Sequence, residues 1–279
     1  MNMNAAGWLQ IRLGMMGVCL LVAGVTGISG CASTSDSSGW GGDGGAEMIT
    51  DSDEPEARKR ARIRLELAVG YFEQGQTTIA LDELKQSIAA DPTYGEAYNL
   101  RGLIYMRLND YRFAEESFRK ALAISPRDSS LMHNLGWLLC QQTRYAESQQ
   151  FFSRALSNPQ YGERAKTFRA QGLCQVRAGL PGDAEQSLLK SYEFDAGNPV
   201  TAYNLATLLF QRGEFVRAQF YVRRLNNSEL ANAETLWLGV KVERRMENRD
   251  AMLQLAAQLE KRFPQSREAG AYQRGSFDE

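Results

Sequence analysis

YNLRGLIYMRLNDYRFAEESFRKALAISP, residues 98–126, carries the spacing that decides the fold. Its skeleton is Tyr98-x3-Gly102-x2-Tyr105, then Tyr111-x2-Ala114-x3-Phe118-x2-Ala121-Leu122, closed by Pro126. The same skeleton returns about every 34 residues on either side. Upstream it reads Leu67-Ala68, Tyr71, Gly75, Ala80, Leu84, Ile88 and Asp91-Pro92; downstream, Leu135-Gly136, Tyr145, Phe152 and Ala155-Leu156. Self-similarity at such a period is the mark of a stacked-repeat protein, in which each unit buries its apolar face only against its neighbours.

These positions match the consensus of the tetratricopeptide repeat (TPR), which the chain resembles. The match departs where Arg101 stands before Gly102 in place of the consensus Leu. Three looser copies follow: Gly172, Gly179, Ala184 and Leu188; Leu205-Ala206, Gly213, Phe215 and Ala218; and Leu238-Gly239, Ala251, Leu255 and Leu259, closed by Phe263-Pro264. The last has Met246-Glu247-Asn248 where the first, fourth and fifth copies have a turn glycine, and it departs most, as suits a terminal unit that caps the stack. Small residues at the eighth position let the two helices of a hairpin approach, aromatics fill the gap between hairpins, and Pro ends the second helix. The expected fold is an all-α superhelical solenoid over residues 58–268. Its six repeats lie near 61–94, 95–128, 129–162, 165–198, 199–230 and 232–265, and residues 269–279 read as a C-terminal tail. Two extra residues fall between the third and fourth copies, around Asn158–Gly162.

The N-terminus reads differently. An apolar run from Leu13 to Ile28 follows a single basic residue, Arg12, and ends in Ile28-Ser29-Gly30-Cys31. A short apolar run closed by small residues is a secretory signal, here residues 1–30, rather than a membrane-spanning helix. The last four residues resemble the bacterial lipobox, in which the cysteine becomes the acylated first residue of the mature chain; several acyl chains on Cys31 give stable anchoring. The alternative is ordinary signal-peptidase cleavage with Cys31 incidental. By the lipoprotein resemblance, Ala32 in place of Asp implies an outer-membrane destination, facing the periplasm. Residues 31–57, rich in Ser, Gly and Asp, read as a flexible tether with a reach of about 28 Å.

Four cysteines are present. With Cys19 in the signal and Cys31 lipidated, Cys140 and Cys174 remain, on the first helices of the third and fourth repeats. Neighbouring helices pack closely enough for facing cysteines to meet disulfide geometry, and the compartment is oxidising, so a bridge is expected. Two buried free thiols are the alternative.

The formal net charge of −1 gives no basic field for nucleic acid. With a single histidine, His133, and no serine elbow, phosphate loop or selected carboxylate pair, the chain does not read as an enzyme. No cofactor, metal or small-molecule substrate is expected, and the chain reads as a monomer. Binding is the expected work. By the family's groove-facing offsets, the first helices present Leu65, Val69 and Phe72, then Asn99, Leu103 and Met106, then His133, Trp137 and Cys140. Further along come Arg169, Leu173 and Val176, and Tyr203 and Phe210. Lys166, Arg169 and Arg177 form a local basic patch. Asn134 and Asn204 sit where amides of some TPR proteins grip a peptide backbone, although a structural use is equally open. Such an apolar groove suits an amphipathic helix or an extended segment with large side chains.

The stretch His133-Asn134-Leu135-Gly136-Trp137-Leu138-Leu139-Cys140 resembles the type IV pilus biogenesis and stability proteins, the PilF/PilW family. Gly172-Leu173-Cys174, Leu236-Trp237-Leu238-Gly239-Val240 and Arg262-Phe263-Pro264 are similar to the same family. The resemblance implies an outer-membrane pilotin lipoprotein that binds the secretin subunit and promotes its localisation and multimerisation. The competing reading is a general periplasmic TPR scaffold that recruits a peptidoglycan enzyme or an outer-membrane assembly factor.

Overall fold

The computed structural model describes residues 54–278. The expected signal peptide, Cys31 and nearly all of the tether lie outside the described residues. The rest is six helical hairpins and a short closing helix. The hairpins are α1 (Glu56–Glu73) with α2 (Thr77–Ala90), α3 (Gly95–Arg107) with α4 (Tyr111–Ile124), and α5 (Ser129–Gln141) with α6 (Tyr145–Leu156). They continue with α7 (Arg164–Arg177) and α8 (Pro181–Phe194), α9 (Pro199–Gln211) and α10 (Phe215–Asn226), and α11 (Ala233–Arg245) and α12 (Arg249–Arg262). Each helix packs chiefly on its sequence neighbours, as a one-dimensional stack requires. Among the described residues no helix is long and apolar enough to cross a membrane.

The helix starts follow capping chemistry. Asp110, Asp128, Asn198 and Ser266 each accept a backbone N–H of the first turn, and Asn232 and Thr235 form a reciprocal capping box. Pro181 and Pro199 open α8 and α9, where a missing N–H costs nothing.

Each hairpin turns on one residue in the left-handed region: Gly75, Asn109, Thr143, Gly179, Gly213 and Glu247. Only the step from Thr143 to Gly179 departs from 34 residues, by two, so the extra pair lies between the third and fourth repeats as expected. Seven residues before each turn stand Ala68, Gly102, Gly136, Gly172, Ala206 and Val240, glycine or alanine in five of the six hairpins. A Cβ on Gly102 would sit 2.5 Å from the Phe118 ring, and one on Gly172 2.7 Å from Leu188. In the sixth repeat the Leu238-Gly239 pairing is corrected by one residue. Val240 holds the equivalent position, while a Cβ on Gly239 would meet the Asn226 amide of α10 at 2.6 Å. The facing column on the second helices, Leu84, Phe118, Phe152, Leu188, Val222 and Ala256, is buried throughout.

Arg101, at the consensus Leu position, is half-buried. Its guanidinium lies over the Tyr98 ring and donates to Ser117 Oγ at 2.9 Å, so its stem packs while its charge stays solvated. The C-terminal end also differs from the sequence expectation. Residues 269–273, read as tail, belong to α13 (Arg267–Gln273), which Ser266 caps and which buries Ala269 and Ala271 against Leu236, Trp237 and Val240. Two alanines are too little apolar periodicity to announce a helix before the surface they cover is known.

Candidate functional site

The first helices of the second, third and fourth hairpins line a cavity of about 650 Å³. Two register positions, repeating from helix to helix, build it. Asn99, His133 and Arg169 occupy one; Leu103, Trp137 and Leu173 the next. Ser130, Asn134 and Ala170, with Glu163 and Lys166 at the mouth, complete the lining. One side of each helix is therefore an apolar strip of Leu103, Trp137, Ala170 and Leu173, bordered by amides and by charge.

Of the groove residues expected from sequence, these six share one cavity; the others do not. Leu65 is 8 % exposed and packs in the core with Ala61, Ala68, Leu84 and Ile104. Val69 is exposed and Phe72 half-buried under Arg107, both beyond the cavity. Met106 is half-buried against the cluster of Phe118, Leu135, Leu138 and Leu139. Val176 is exposed and also outside the cavity.

His133 forms the rear wall. It is buried, with Nδ1 2.8 Å from Thr167 Oγ1, which in turn donates to the Tyr161 hydroxyl at 3.1 Å. Burial pushes its pKa down to about 4, and Lys166 and Arg169 add to the shift against the opposing charge of Glu163. The imidazole is therefore neutral near neutral pH and acts as a packing and hydrogen-bonding group. Asn134 Nδ2 donates to Asn99 Oδ1 at 2.9 Å and ties α5 to α3 across the floor. Asn204 donates to the Val200 carbonyl of its own helix. Both amides thus have structural partners, and only Asn134 faces the cavity.

Lys166 pairs with Glu163 at 3.0 Å, whereas Arg169 has no ion-pair partner among the described residues. Arg177, the third member of the expected basic patch, lies over the Trp137 ring at 5.2 Å. Such a stacked guanidinium holds the indole in one orientation.

Beneath Trp137 the structure joins Cys140 to Cys174, with Cα atoms 5.8 Å apart. The inserted pair explains why these two residues meet. Cys140 stands three residues before its turn at Thr143, and Cys174 five before its turn at Gly179. Two residues are about 200° around an α-helix, so one side chain faces forward along the stack and the other backward. Cys140, Cys174, Phe152 and Ala170 form one buried cluster on which Trp137 and Tyr145 pack.

A second cavity, about 630 Å³, opens farther along between α9 and α11 and brings together Tyr203, Phe210 and Trp237. The Trp237 stretch was legible in the sequence only as a resemblance. Its groove-facing role needed the register set by Glu247, a turn residue with no glycine to mark it.

Tetratricopeptide repeat family models match residues 95–128 and 117–150. The chain is 28 % identical, over 92 % of its own length and 96 % of the relative's, to the type IV pilus assembly protein PilF of Pseudomonas aeruginosa. The crystal structure of PilW, described as a widely conserved type IV pilus biogenesis factor, superposes with a TM-score of 0.70 at 30 % identity. That match covers 76 % of this chain and 97 % of PilW. The solved P. aeruginosa PilF gives a TM-score of 0.71 at 27 % identity, covering 79 % of this chain and all of the other.

Proposed function

Because the chain belongs to the type IV pilus biogenesis family of tetratricopeptide repeat proteins that includes PilF and PilW, we propose that it is a pilotin of the outer membrane. In this reading a lipid on Cys31 supplies the membrane address. The groove of α3, α5 and α7 holds a segment of the type IV pilus secretin, and the two reach the outer membrane together. The chain contributes binding rather than catalysis.

The observation that supports the reading is the preorganised strip of Leu103, Trp137 and Leu173. Trp137 is clamped between Arg177 above and the Cys140–Cys174 cluster below, so a bound segment does not have to order it. An amphipathic helix or extended strand lays large apolar side chains on that strip, and a carboxylate on its flank meets Arg169. A central aromatic in a rigid pocket has the character of a binding hot spot.

The test is photocrosslinking in cells from p-benzoylphenylalanine placed at position 137. A crosslinked secretin is the expected product. Crosslinks confined to a peptidoglycan hydrolase or an outer-membrane assembly factor would replace the pilotin reading with a general scaffold. Deleting the gene should leave secretin monomers or mislocalised rings, and unchanged outer-membrane multimers would contradict the proposal. For the anchor, metabolic palmitate labelling should be lost in Cys31→Ala; equal labelling would refute lipidation there.

A further inference from the structure

The cavity between α9 and α11 uses the same register as the first groove but different chemistry. Tyr203 and Trp237 replace Asn99 and His133, and Thr207 and Lys241 replace Leu103 and Trp137. A cation lies against its rings: Lys241 Nζ is 5.8 Å from the Phe210 centroid and 5.5 Å from that of Trp237; Arg245, also on the lining, covers Phe215 outside it at 4.7 Å. The acids on the lining are Glu234, Glu247 and Asp278.

Part of this cavity is already filled by the chain itself. Gly275, at φ +68°, reverses the backbone after α13, and Ser276 N–H returns to the Ala271 carbonyl at 2.9 Å. Phe277 is thereby laid on Trp237, centroids 5.3 Å apart and planes at 29°, with the Arg244 guanidinium 3.7 Å from its centroid. Asp278 follows at the rim. Burial lowers the Lys241 pKa, and Asp278 opposes that shift. The occupant is thus one aromatic ring followed by one carboxylate, held by stacking and charge on a short exposed segment.

We infer that this cavity is a second peptide-binding site, for a partner-protein segment presenting an aromatic side chain followed by a carboxylate, with Phe277-Asp278 as its resident occupant in cis. Without that segment the lining carries three cations, Lys241, Arg244 and Arg245, against two acids, Glu234 and Glu247, and three aromatic walls. An incoming aromatic–acidic segment matches both features. A second copy of this chain is a poorer occupant. Its identical tail gains no new contact and competes with a resident at the millimolar effective concentration of a short tether. The site lies on other repeats than the secretin groove, shares no residue with it, and stands or falls separately.

The probe is a fluorescein-labelled octapeptide with the sequence of residues 272–279, YQRGSFDE, titrated by anisotropy into the full-length chain in detergent. Saturable binding to Phe277→Ala is expected, at least tenfold tighter than to wild type, whose own tail competes. Adding Lys241→Gln and Arg244→Gln should weaken it at least tenfold, as should replacing the peptide's Phe by Ala; Trp137→Ala should leave it unchanged. The octapeptide carrying 4-fluorophenylalanine, followed by 19F NMR against wild type, reads binding with the resident tail intact; line broadening is expected, and Lys241→Gln should remove it. Absence of both signals, or equal binding of the Phe-less peptide, overturns the inference. A wild-type dimer that Phe277→Ala converts to monomer would assign the cavity to a second copy instead, and so also overturn it.

Discussion

Gly102→Ala and Gly70→Ala are the same chemical change in the interiors of α3 and α1, and the structure gives them opposite signs. Replacing a mid-helix glycine by alanine gains about 1 kcal/mol, chiefly from the unfolded chain's lost freedom. At Gly70 a new Cβ meets nothing within 4 Å, so the variant should be stabilised by about 0.5–1 kcal/mol. At Gly102 the new carbon would lie 2.5, 2.6 and 2.8 Å from three atoms of the Phe118 ring. Carbon atoms rest at about 3.5–4.0 Å, so the ring must retreat by roughly 1 Å. Phe118 is fully buried and packs in one cluster with Ala114, Leu135, Leu138 and Leu139, so the retreat disturbs a filled core. Overpacking of this kind costs about 1–3 kcal/mol, which outweighs the propensity gain at the centre of the range. The net expectation is a loss of about 1 kcal/mol, hence a separation of roughly 2 kcal/mol between the two variants. Urea titrations followed by circular dichroism, with amide exchange in α3 and α4 as the local readout, measure it. In a double-mutant cycle, Phe118→Leu should relieve part of the Gly102→Ala cost. If the two alanine variants shift stability in the same direction, or the cycle is additive, the close approach of α3 and α4 does not govern this hairpin.

The Cys140–Cys174 bridge closes a loop with a sequence separation of 34, for which chain entropy gives about 3–4 kcal/mol. Native protein should show neither thiol to alkylation, and Cys140→Ser/Cys174→Ser should lower the urea midpoint correspondingly; two alkylatable thiols in the native state would refute the pairing. His133 has its folded pKa depressed to about 4 from an ordinary value near 6.5. Below pH 6.5 the unfolded chain therefore binds more protons than the folded one. Stability should be full above that pH and fall progressively towards pH 4, by up to about 3 kcal/mol. Comparing the pH dependence of unfolding with that of His133→Asn checks this, and parallel curves would contradict it. Thr143 is an exposed β-branched residue at φ 60°, so Thr143→Gly should stabilise the third hairpin by about 1 kcal/mol in a thermal melt.

The sequence by itself determined the repeat, because its determinants are local and recur. Small residues where helices touch, a turn seven residues later and prolines at helix ends are all visible in Tyr98–Pro126, and the period exposes the copies. It also revealed the two-residue insertion and placed Asn99, Leu103, His133, Trp137, Arg169 and Leu173, which line one cavity, on one face, since a fixed register maps one helix onto the next. Whether a register position faces the cavity or the core was decided only by the tertiary structure. Leu65 and Asn99 are equivalent in sequence, yet Leu65 packs in the core with Ala61, Ala68, Leu84 and Ile104 and Asn99 lines the cavity, because α3, α5 and α7 build that cavity and α1 contributes nothing to it. The turn held by Glu247 hid the true register of the last repeat, since stacking forces that residue into a left-handed conformation its identity does not announce. The meeting of Cys140 and Cys174 depends on a 200° rotation that the insertion supplies, and the Phe277 contact on a chain reversal at Gly275. Contacts of this kind come from how far one helix is turned against another, which the stack sets and no single segment encodes.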